Sequence, residues 1–323
     1  MAPDVYRIEI RLAGSPLKTL NSYVFKSGER NLLVDTGFNQ PACLADLQAG
    51  IAELELDMHK TDIFITHYHS DHCGLISQIV SPGSSVYMSG TDTGLFQRNA
   101  EEKKLYWEES ERTYLREGFP PDELALSMQN NPIRDLGDRG VVTITPIGDG
   151  DVIQAGSRTF RCVLTPGHSP GHMCLYEEAT KIMVLGDHVL FDITPNITIW
   201  SSLPNILACY LNSLEKIKTF DVKLALPAHR DNRGKTFVQR VDELVEHHHE
   251  RLEEVSAIVA DDPGLTGYKV ATRMSWSIRA KSWQEFPATQ KWFAVSEALA
   301  HLDYLVANGS LKCREQNGIR HYE

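Results

Sequence analysis

Three histidines and one aspartate lie close together in the chain, directly after an apolar run typical of a buried strand. The run extends from Asp62 to Ile65, and the polar residues that follow are His67, His69, Asp71 and His72. His67 and His69 are two residues apart, so on an extended segment both rings project to one side and can bind one ion. Asp71 and His72 come where the chain should turn into a helix over Gly74–Val80, which directs them toward a second ion. Such ligands suit zinc, or iron and manganese where oxygen ligands dominate.

Three further candidate ligands occur in the same kind of place. In each case a strand-like run ends in Gly or Pro and a His or Asp follows, which gives His168, Asp187 and His229. A β-sheet delivers the residues that follow its strands to one edge. We therefore expect the seven side chains to converge at one rim of a sheet.

Asp35, in the segment Leu33–Gly37, precedes these residues in the chain. Together they match five known sequence motifs in order. Through these motifs the chain resembles the metallo-β-lactamase-fold hydrolase superfamily. The resemblance implies an α/β fold, an αββα sandwich, that binds two divalent ions, above all zinc, with iron or manganese as alternatives. It implies that Asp35 orients ligands or backbone around the site without binding metal. It also implies the ligand sets, which are His67, His69 and His168 for one ion, Asp71, His72 and His229 for the other, and Asp187 as the bridge.

Within the superfamily, the motifs are similar to the glyoxalase II and lactonase type of site. His72 completes the second ligand set, and Asp187 stands where zinc β-lactamases usually have cysteine, so the resemblance disfavours β-lactam hydrolysis. Flavodiiron proteins have glutamate where His69 stands, which disfavours oxygen reduction. The segment Thr165–His172 is close to the glyoxalase II form. In it, His172 is either a hydrogen-bond donor around the ligands or only a turn residue.

Composition limits the class of protein and its partners. A chain of 323 residues with 42% hydrophobic residues can bury a full core and still form a small second domain. No apolar run approaches the roughly 20 residues of a membrane span, so no membrane partner is expected. The N-terminus lacks the basic and apolar regions of a secretion signal, which favours a cytoplasmic protein. Six cysteines without a C-x-x-C pair indicate reduced thiols, and Cys73 is interpreted as a buried hydrophobic residue.

Periodicity predicts the elements that must position the ligands, and residues 1–235 are expected to form the catalytic domain. Between 91 and 140 the pattern becomes polar and helix-favouring, which predicts a helical insertion that could act as a lid. The other predicted elements of this domain are a strand at Tyr6–Leu12, a hairpin of Tyr23–Phe25 with Leu32–Val34, a helix at Gln40–Leu54, short strands between Val141 and Leu226, and a helix at Ile206–Thr219.

Five residues are candidate substrate contacts. Tyr106 and Trp107 lie on an amphipathic helix over Ala100–Gly118, and the alternative is that their rings only anchor that helix. Asn196 and Trp200 follow Asp187 in a loop, where an anchoring role is the alternative. Arg230, next to His229, either holds a substrate carboxylate or pairs with an acid on the surface.

Residues 236–323 are expected to form a mostly helical, winged-helix-like C-terminal domain. Helices are predicted at Phe237–Val259, Gly267–Ser275 and Val295–Ala307, followed by a hairpin around Asn317 and Gly318. Such a tail resembles the β-lactamase-like protein 2 branch, which suggests nucleic acid. Ten Lys or Arg against thirteen Asp or Glu in the tail, and a net charge of −11 for the chain, disfavour that partner. The tail is interpreted instead as a packing, lid or homodimerisation element. The run His247–His249 is interpreted as a solvated helix face.

The leading hypothesis is a metal-dependent hydrolase in which a hydroxide activated between two metal ions attacks a thioester, ester or lactone of a small molecule. Asp71 is the candidate catalytic residue, since it could steer the hydroxide or pass its proton to the leaving group. The second hypothesis is an endonuclease for single-stranded RNA. The third is a non-catalytic, metal-dependent sensor or partner-binding protein.

Overall fold

A computed structural model of the protein describes residues 2–129, 137–138, 140–277, 280 and 282–323. The chain divides into two compact units, each built from three segments. The first unit comprises Met1–Gln97, Pro132–Pro195 and Asn212–Asp242, and the second comprises Arg98–Asn131, Asn196–Leu211 and Glu243–Glu323. The predicted domain limits stay predictions. Within the described ranges, no helix has the length and apolarity needed to cross a lipid bilayer.

Helices and strands alternate through the first part of the chain, as the sequence predicted. The helices are α1 (Pro41–Glu53), α2 (Ser70–Cys73), α3 (Ile76–Ile79), α4 (Gly90–Phe96), α5 (Ala100–Arg116), α6 (Pro121–Gln129), α7 (Ile206–Lys218), α8 (Phe237–Asp261), α9 (Gly267–Arg273) and α10 (Ala288–Ala307). The strands are β1 (Val5–Arg11), β2 (Thr19–Phe25), β3 (Asn31–Val34), β4 (Thr61–Phe64), β5 (Val86–Ser89), β6 (Thr145–Ile147), β7 (Val152–Ala155), β8 (Arg158–Leu164), β9 (Met173–Glu177), β10 (Ile182–Gly186), β11 (Leu224–Pro227), β12 (Cys313–Gln316) and β13 (Ile319–Tyr322).

Two sheets form the first unit. One has six strands in the order β1 to β6, and the other has five strands in the order β11, β10, β9, β8, β7. Apolar side chains of both sheets, such as Phe64 and Phe160, form a core between them. A further core lies between the six-stranded sheet and its helices, where Leu47 of α1 and Ile76 of α3 are buried. Strand β2 is therefore buried along nearly its whole length, whereas β1 alternates. The layering agrees with the predicted αββα sandwich.

Strand register brings the ligand-bearing loops to one edge. Strands β3 and β4 are parallel, and Val34 lies opposite Phe64, so Asp35 and Thr66 leave the sheet side by side. Strands β10 and β11 are also parallel, which places the ends of both strands together. The Met173 amide donates to the carbonyl oxygen of Thr66 at 2.8 Å, and this hydrogen bond joins the two sheets at that edge.

The predicted start of the helix over Gly74–Val80 is wrong. Asp71 and His72 lie inside the short helix α2, and Gly74 separates α2 from α3. The backbone and hydroxyl groups of Thr36 explain the break, since both donate to the carbonyl oxygen of His72, at 2.7 and 2.8 Å. The Leu75 amide donates to the same hydroxyl instead of continuing the helix. The neighbouring strand end therefore fixes the direction of His72.

The second unit contains α5, α6, α9, α10, the hairpin β12–β13 and α8 from Glu243 onward. The predicted tail helices and the terminal hairpin are confirmed as elements. The last helix begins at Ala288 rather than Val295, because Pro287 supplies its N-cap and the first turn carries polar residues that hide the apolar pattern. A winged-helix arrangement stays a prediction.

The interpretation of His247–His249 as a solvated face is wrong for the middle residue. His248 is fully buried, and its Nδ1 lies 3.1 Å from Nε2 of His301. His301 Nδ1 donates to the carbonyl oxygen of Glu297 at 2.7 Å, so its Nε2 accepts and His248 donates. Burial, together with the neighbouring imidazoles and Arg251, lowers the pKa of His248 well below its ordinary value. Burial likewise lowers the pKa of His301 to about 4.

These two buried imidazoles predict a loss of stability in mild acid. The unfolded chain binds protons on both rings near pH 6.5. In the folded chain the pKa of His301 is about 4 and that of His248 lies well below its ordinary value, so stability falls as the pH drops below about 6.5. We expect His301 alone to reduce the free energy of unfolding by roughly 1 to 2 kcal/mol between pH 7 and pH 5. Chemical denaturation at both pH values measures this. His301→Gln should flatten the dependence, and His249→Gln, on the exposed face of α8, should not.

Candidate metal centre

The buried carboxylate of Asp35 organises one side of the rim. It accepts hydrogen bonds from the Thr66 amide at 2.9 Å, the Thr66 hydroxyl at 2.8 Å and Nδ1 of His72 at 2.8 Å. Asp35 adopts a φ of 60°, in the left-handed region that few residues other than glycine and asparagine occupy readily. These three hydrogen bonds offset that cost and hold His72 with its Nε2 facing inward. Asp35 thus occupies the orienting role that the resemblance implies, outside the ligand groups.

His67, His69 and His168 form one group. Each contributes one ring nitrogen, and these three atoms lie within 4.8 Å of one another. Nε2 of His67 lies 2.9 Å from Nδ1 of His69. Nδ1 of His67 lies 3.1 Å from the hydroxyl oxygen of Thr66. Because that hydroxyl donates to Asp35, its oxygen accepts from His67 and fixes the tautomer whose lone pair points at the other two rings.

Asp71, His72 and His229 form a second group of the same compactness. Nδ1 of His229 donates to the carbonyl oxygen of Thr19 at 2.7 Å, which leaves Nε2 facing the carboxylates. That Nε2 lies 3.4 Å from Oδ2 of Asp71. His72 Nε2 lies 3.7 Å from the same oxygen.

Asp187 faces both groups. Its Oδ2 lies 3.5 Å from Nε2 of His168 and 3.6 Å from Nε2 of His72, while its Oδ1 lies 3.3 Å from Nε2 of His229. One carboxylate that approaches rings of both groups is suited to bridge two cations. The structure therefore brings all seven predicted ligands together. A third compact group of His67, His72 and Asp187 joins the two sets, so their division between two ions stays a prediction.

The two groups differ in electrostatics. Burial and the surrounding imidazoles lower the pKa of His67 well below its ordinary value, and burial and His168 lower that of His69 to about 3. Burial alone would also lower the pKa of His229, but Asp187 and Asp71 together raise it to about 10. Burial would raise the pKa of Asp71, but His72 and His229 lower it to about 2. The first group is thus purely imidazole, and the second pairs imidazoles with carboxylates.

The side chains fit a pair of divalent metal ions. Three inward atoms, His72 Nε2, His229 Nε2 and Asp187 Oδ1, are buried and accept no hydrogen bond from the residues that the structure describes. Leaving such atoms unsatisfied costs about 1–3 kcal/mol each, and coordination would satisfy them. Five imidazoles and two carboxylates without a thiolate form a nitrogen and oxygen set, which suits zinc, iron or manganese. Cys73 is not part of it, since its thiol donates to the carbonyl oxygen of Tyr68 at 3.1 Å.

His172 supports the bridging residue from behind. The Asp187 amide donates to Nε2 of His172 at 3.1 Å, and Nδ1 of His172 lies 2.8 Å from the Thr165 hydroxyl. His172 therefore accepts from the backbone of Asp187 rather than donating to a ligand ring. Gly186 makes this contact sterically feasible, because a Cβ there would lie 2.5 Å from His172 Nε2. His188, which follows Asp187 in the chain, is buried with its ring centre 5.7 Å from that of His172.

The predicted substrate contacts stay predictions, and the structure gives their present partners. Arg230 donates to Oδ2 of Asp192 at 2.9 Å, which is the surface pairing considered as its alternative. In the second unit, Asn196 donates to Glu297 at 3.2 Å and Trp200 is buried. Tyr106 and Trp107 contact each other edge to face, with the Arg98 guanidinium over the Tyr106 ring.

Comparison with known proteins agrees with this geometry. The sequence profile of the metallo-β-lactamase superfamily matches residues 18–229, a stretch that runs from β2 to the last ligand. The chain belongs to the metallo-β-lactamase superfamily. A metallo-β-lactamase family protein from Thermus thermophilus has the same fold with a TM-score of 0.81 and 25% identity, covering 99% of this chain and 98% of that one.

Relatives within the superfamily carry different names. A β-lactamase-like protein 2 homologue of Caenorhabditis elegans is 25% identical over 271 residues, covering 81% of this chain and 74% of that protein. An atrochrysone carboxyl ACP thioesterase of Emericella nidulans is 26% identical over 231 residues, 72% of this chain. The matched region spans 57% of that thioesterase and 62% of a lactamase-like protein from the same fungus.

Sequence reasoning missed one residue of this rim. Asp92 lies in α4, fully buried, and accepts hydrogen bonds from loops that carry ligands of the first group. The local signal was the N-cap pattern of Ser89 and Asp92, in which the Ser89 hydroxyl accepts from the Asp92 amide. That pattern predicts a helix start and says nothing of the ligand loops.

Gly186→Ala is expected to weaken metal binding. Alanine is strained at the φ of 52° found here. Its Cβ would lie 2.5 Å from Nε2 of His172, which would push that ring away from the Asp187 amide and turn the bridging carboxylate. We expect a loss of roughly 10- to 100-fold in zinc affinity, measured by competition with a chelating dye. Gly150→Ala is the matched control, since Gly150 also has a positive φ but a Cβ there would meet no described atom within 4 Å. Equal zinc affinity in both variants would contradict the role given to His172.

Proposed function

We propose that the protein is a metal-dependent hydrolase of thioesters or other activated carboxylic esters of small molecules. Most members of the superfamily are hydrolases, and one relative bears a thioesterase name. The observation that carries the proposal is Asp187, a carboxylate within 3.3 to 3.6 Å of rings from both ligand groups. It would join two ion positions into one site, the arrangement in which a water shared by two ions can attack a carbonyl.

The side chains of the site have different proposed roles. His67, His69 and His168 would hold one divalent ion, Asp71, His72 and His229 the other, and Asp187 both. Bound there, the ions would supply Lewis acidity that acidifies water and polarises the substrate carbonyl. Asp71 has the most exposed carboxylate of the site, at 11%. Its Oδ2 faces Nε2 of His229 and would bind the second ion, which would leave Oδ1 to receive a proton from the water and return it to the leaving group.

A thioester suits this set of residues better than an amide or a simple ester. A thiol has a pKa of about 8.5, so its thiolate leaves near neutral pH with little help from a general acid. Covalent catalysis is not needed, and Cys73 is unsuited to it because burial raises the pKa of its thiol well above the ordinary value. The acidic balance of the chain, −11 overall, argues for a small substrate rather than a nucleic acid.

Zinc-loaded protein is expected to hydrolyse acyl thioesters, and turnover should disappear on removal of metal with a chelator and return when zinc is added. His69→Ala and Asp187→Ala should each reduce kcat/KM by at least about 10³-fold, because the first removes a ligand of one ion and the second the bridge. Release of free thiol, followed with a colorimetric thiol reagent over a panel of acyl chains, measures this activity.

His59→Ala is the control, since the His59 ring contacts the Pro82 carbonyl oxygen at 3.1 Å on the surface. It should retain full activity. Protein that binds two equivalents of zinc but cleaves no member of an ester, thioester and lactone panel would refute the hydrolase proposal and support a sensor. Cleavage of single-stranded RNA by the same protein would instead support a nuclease.

A further inference from the structure

Asp92 is buried between two loops that come from distant parts of the chain. It lies in the first turn of α4 and has no exposed surface. Its Oδ2 accepts from the Tyr68 amide at 3.0 Å and from the Ser169 hydroxyl at 2.8 Å. Its Oδ1 accepts from the Gly171 amide at 2.8 Å. One carboxylate therefore holds three donors from two segments.

The two segments are the loops that carry the first ligand group. Tyr68 stands between His67 and His69, and Ser169 follows His168 directly. The relative position of these loops decides whether the three ring nitrogens can meet at one point. Gly171 shows how closely the second loop approaches α4, because a Cβ there would lie 2.5 Å from Oδ1 of Asp92 and 2.2 Å from the Ser89 hydroxyl.

We propose that Asp92 is a positioning residue for the first ion, and that it sets the affinity of the site formed by His67, His69 and His168 without touching the ion. This inference rests on the metal centre of the proposed function. It adds a second positioning carboxylate to the site. Asp92 holds the backbone of the two loops that carry the first group. Asp35 binds His72 of the second group directly and reaches His67 of the first group only through Thr66.

Among the described residues, none of the second group's ligands is hydrogen-bonded to Asp92 itself. The connection is indirect, through Cys73 of α2, whose thiol donates to the carbonyl oxygen of Tyr68 at 3.1 Å. His72 is fixed by Asp35, and His229 is fixed by the carbonyl oxygen of Thr19. Asp71 and His72 belong to α2, where the His72 carbonyl group is held by Thr36. A change at Asp92 should therefore alter one metal site and spare the other.

Asparagine is the appropriate substitution at position 92. Its amide oxygen can still accept from the Gly171 amide, and its NH₂ group can donate to the Ser169 hydroxyl oxygen after that hydroxyl rotates. The Tyr68 amide then faces a donor and loses its partner. The side-chain volume stays the same, so Asp92→Asn loosens the loop between His67 and His69 without opening a cavity.

The test uses full-length protein in two backgrounds that each retain one site. His229→Ala leaves the first site, and His69→Ala leaves the second. Zinc affinity is measured by competition with a chelating dye, with no substrate present. In the His229→Ala background, Asp92→Asn should weaken zinc binding roughly 10- to 100-fold. In the His69→Ala background, it should change zinc affinity less than about threefold. Cobalt absorption in the first background should shift with Asp92→Asn, because the ligand geometry changes.

Asp62→Asn is the matched control for the general cost of removing a buried carboxylate. Asp62 is also buried in the first unit and accepts from Arg30 at 2.9 Å and from the Ser85 amide at 2.7 Å, neither of which carries a ligand. It should lower thermal stability and leave zinc affinity unchanged. If Asp92→Asn does not fold, Ser169→Ala, which removes one of the three donors, should weaken the first site several-fold.

Three results would overturn the inference, and they separate it from the proposed function. If wild-type protein binds two zinc ions and Asp92→Asn leaves the first site at wild-type affinity, Asp92 has only a structural role, and the metal centre stands. If wild-type protein binds no zinc, the metal centre fails and the role of Asp92 fails with it. An equal loss of affinity at both sites would also contradict a role confined to the first group.

Discussion

The candidate metal centre of the first unit depends on ligand side chains that point one polar atom at the centre of the site. A second polar atom of the same side chain is hydrogen-bonded to the surrounding protein. His67, His72 and His229 each use Nδ1 to contact Thr66, Asp35 and Thr19, respectively. Each contact turns its ring so that Nε2 faces the centre. There Asp187 and Asp71 raise the pKa of His229 to about 10, so this part of the rim favours positive charge.

Two backbone positions in the left-handed region make this arrangement possible. Asp35 at the end of β3 has a φ of 60°, and Gly186 at the end of β10 has a φ of 52°. A left-handed conformation costs a residue with a side chain about 1–2 kcal/mol, and at Asp35 three hydrogen bonds to its carboxylate offset the cost. At Gly186 a side chain is excluded by His172 and Thr66. At both positions the chain turns sharply at the end of a strand, and the segment that follows leads into the site. Unusual backbone conformations are common at functional sites.

The features of the site that could be predicted from the sequence are those that depend on residues close together in the chain. Five of the seven ligands lie in segments that follow strands, and Asp71 and His72 lie in the short helix α2 just beyond β4. Strand periodicity is local, so the convergence of these residues could be predicted before the fold was known. Asp92 could not be predicted in the same way, because its partners lie 24, 77 and 79 residues away. His248 was misjudged for the same reason. Helical spacing shows that the rings of His247–His249 diverge, but the residue that buries the middle one, His301, is 53 positions away.

The charge of the ligand set bears on the substrate more than the charge of the chain does. The set holds two carboxylates, and Asp35 adds a third directly behind it. Two divalent cations would bring four positive charges, against three from these carboxylates and one from a shared hydroxide, so the occupied rim would be close to neutral. Ions bound there would stabilise the oxyanion that develops when a carbonyl is attacked more than they stabilise the neutral ester. The net charge of −11 would repel polyanions such as RNA at low salt. Both effects support the proposed compact substrate with a reactive carbonyl.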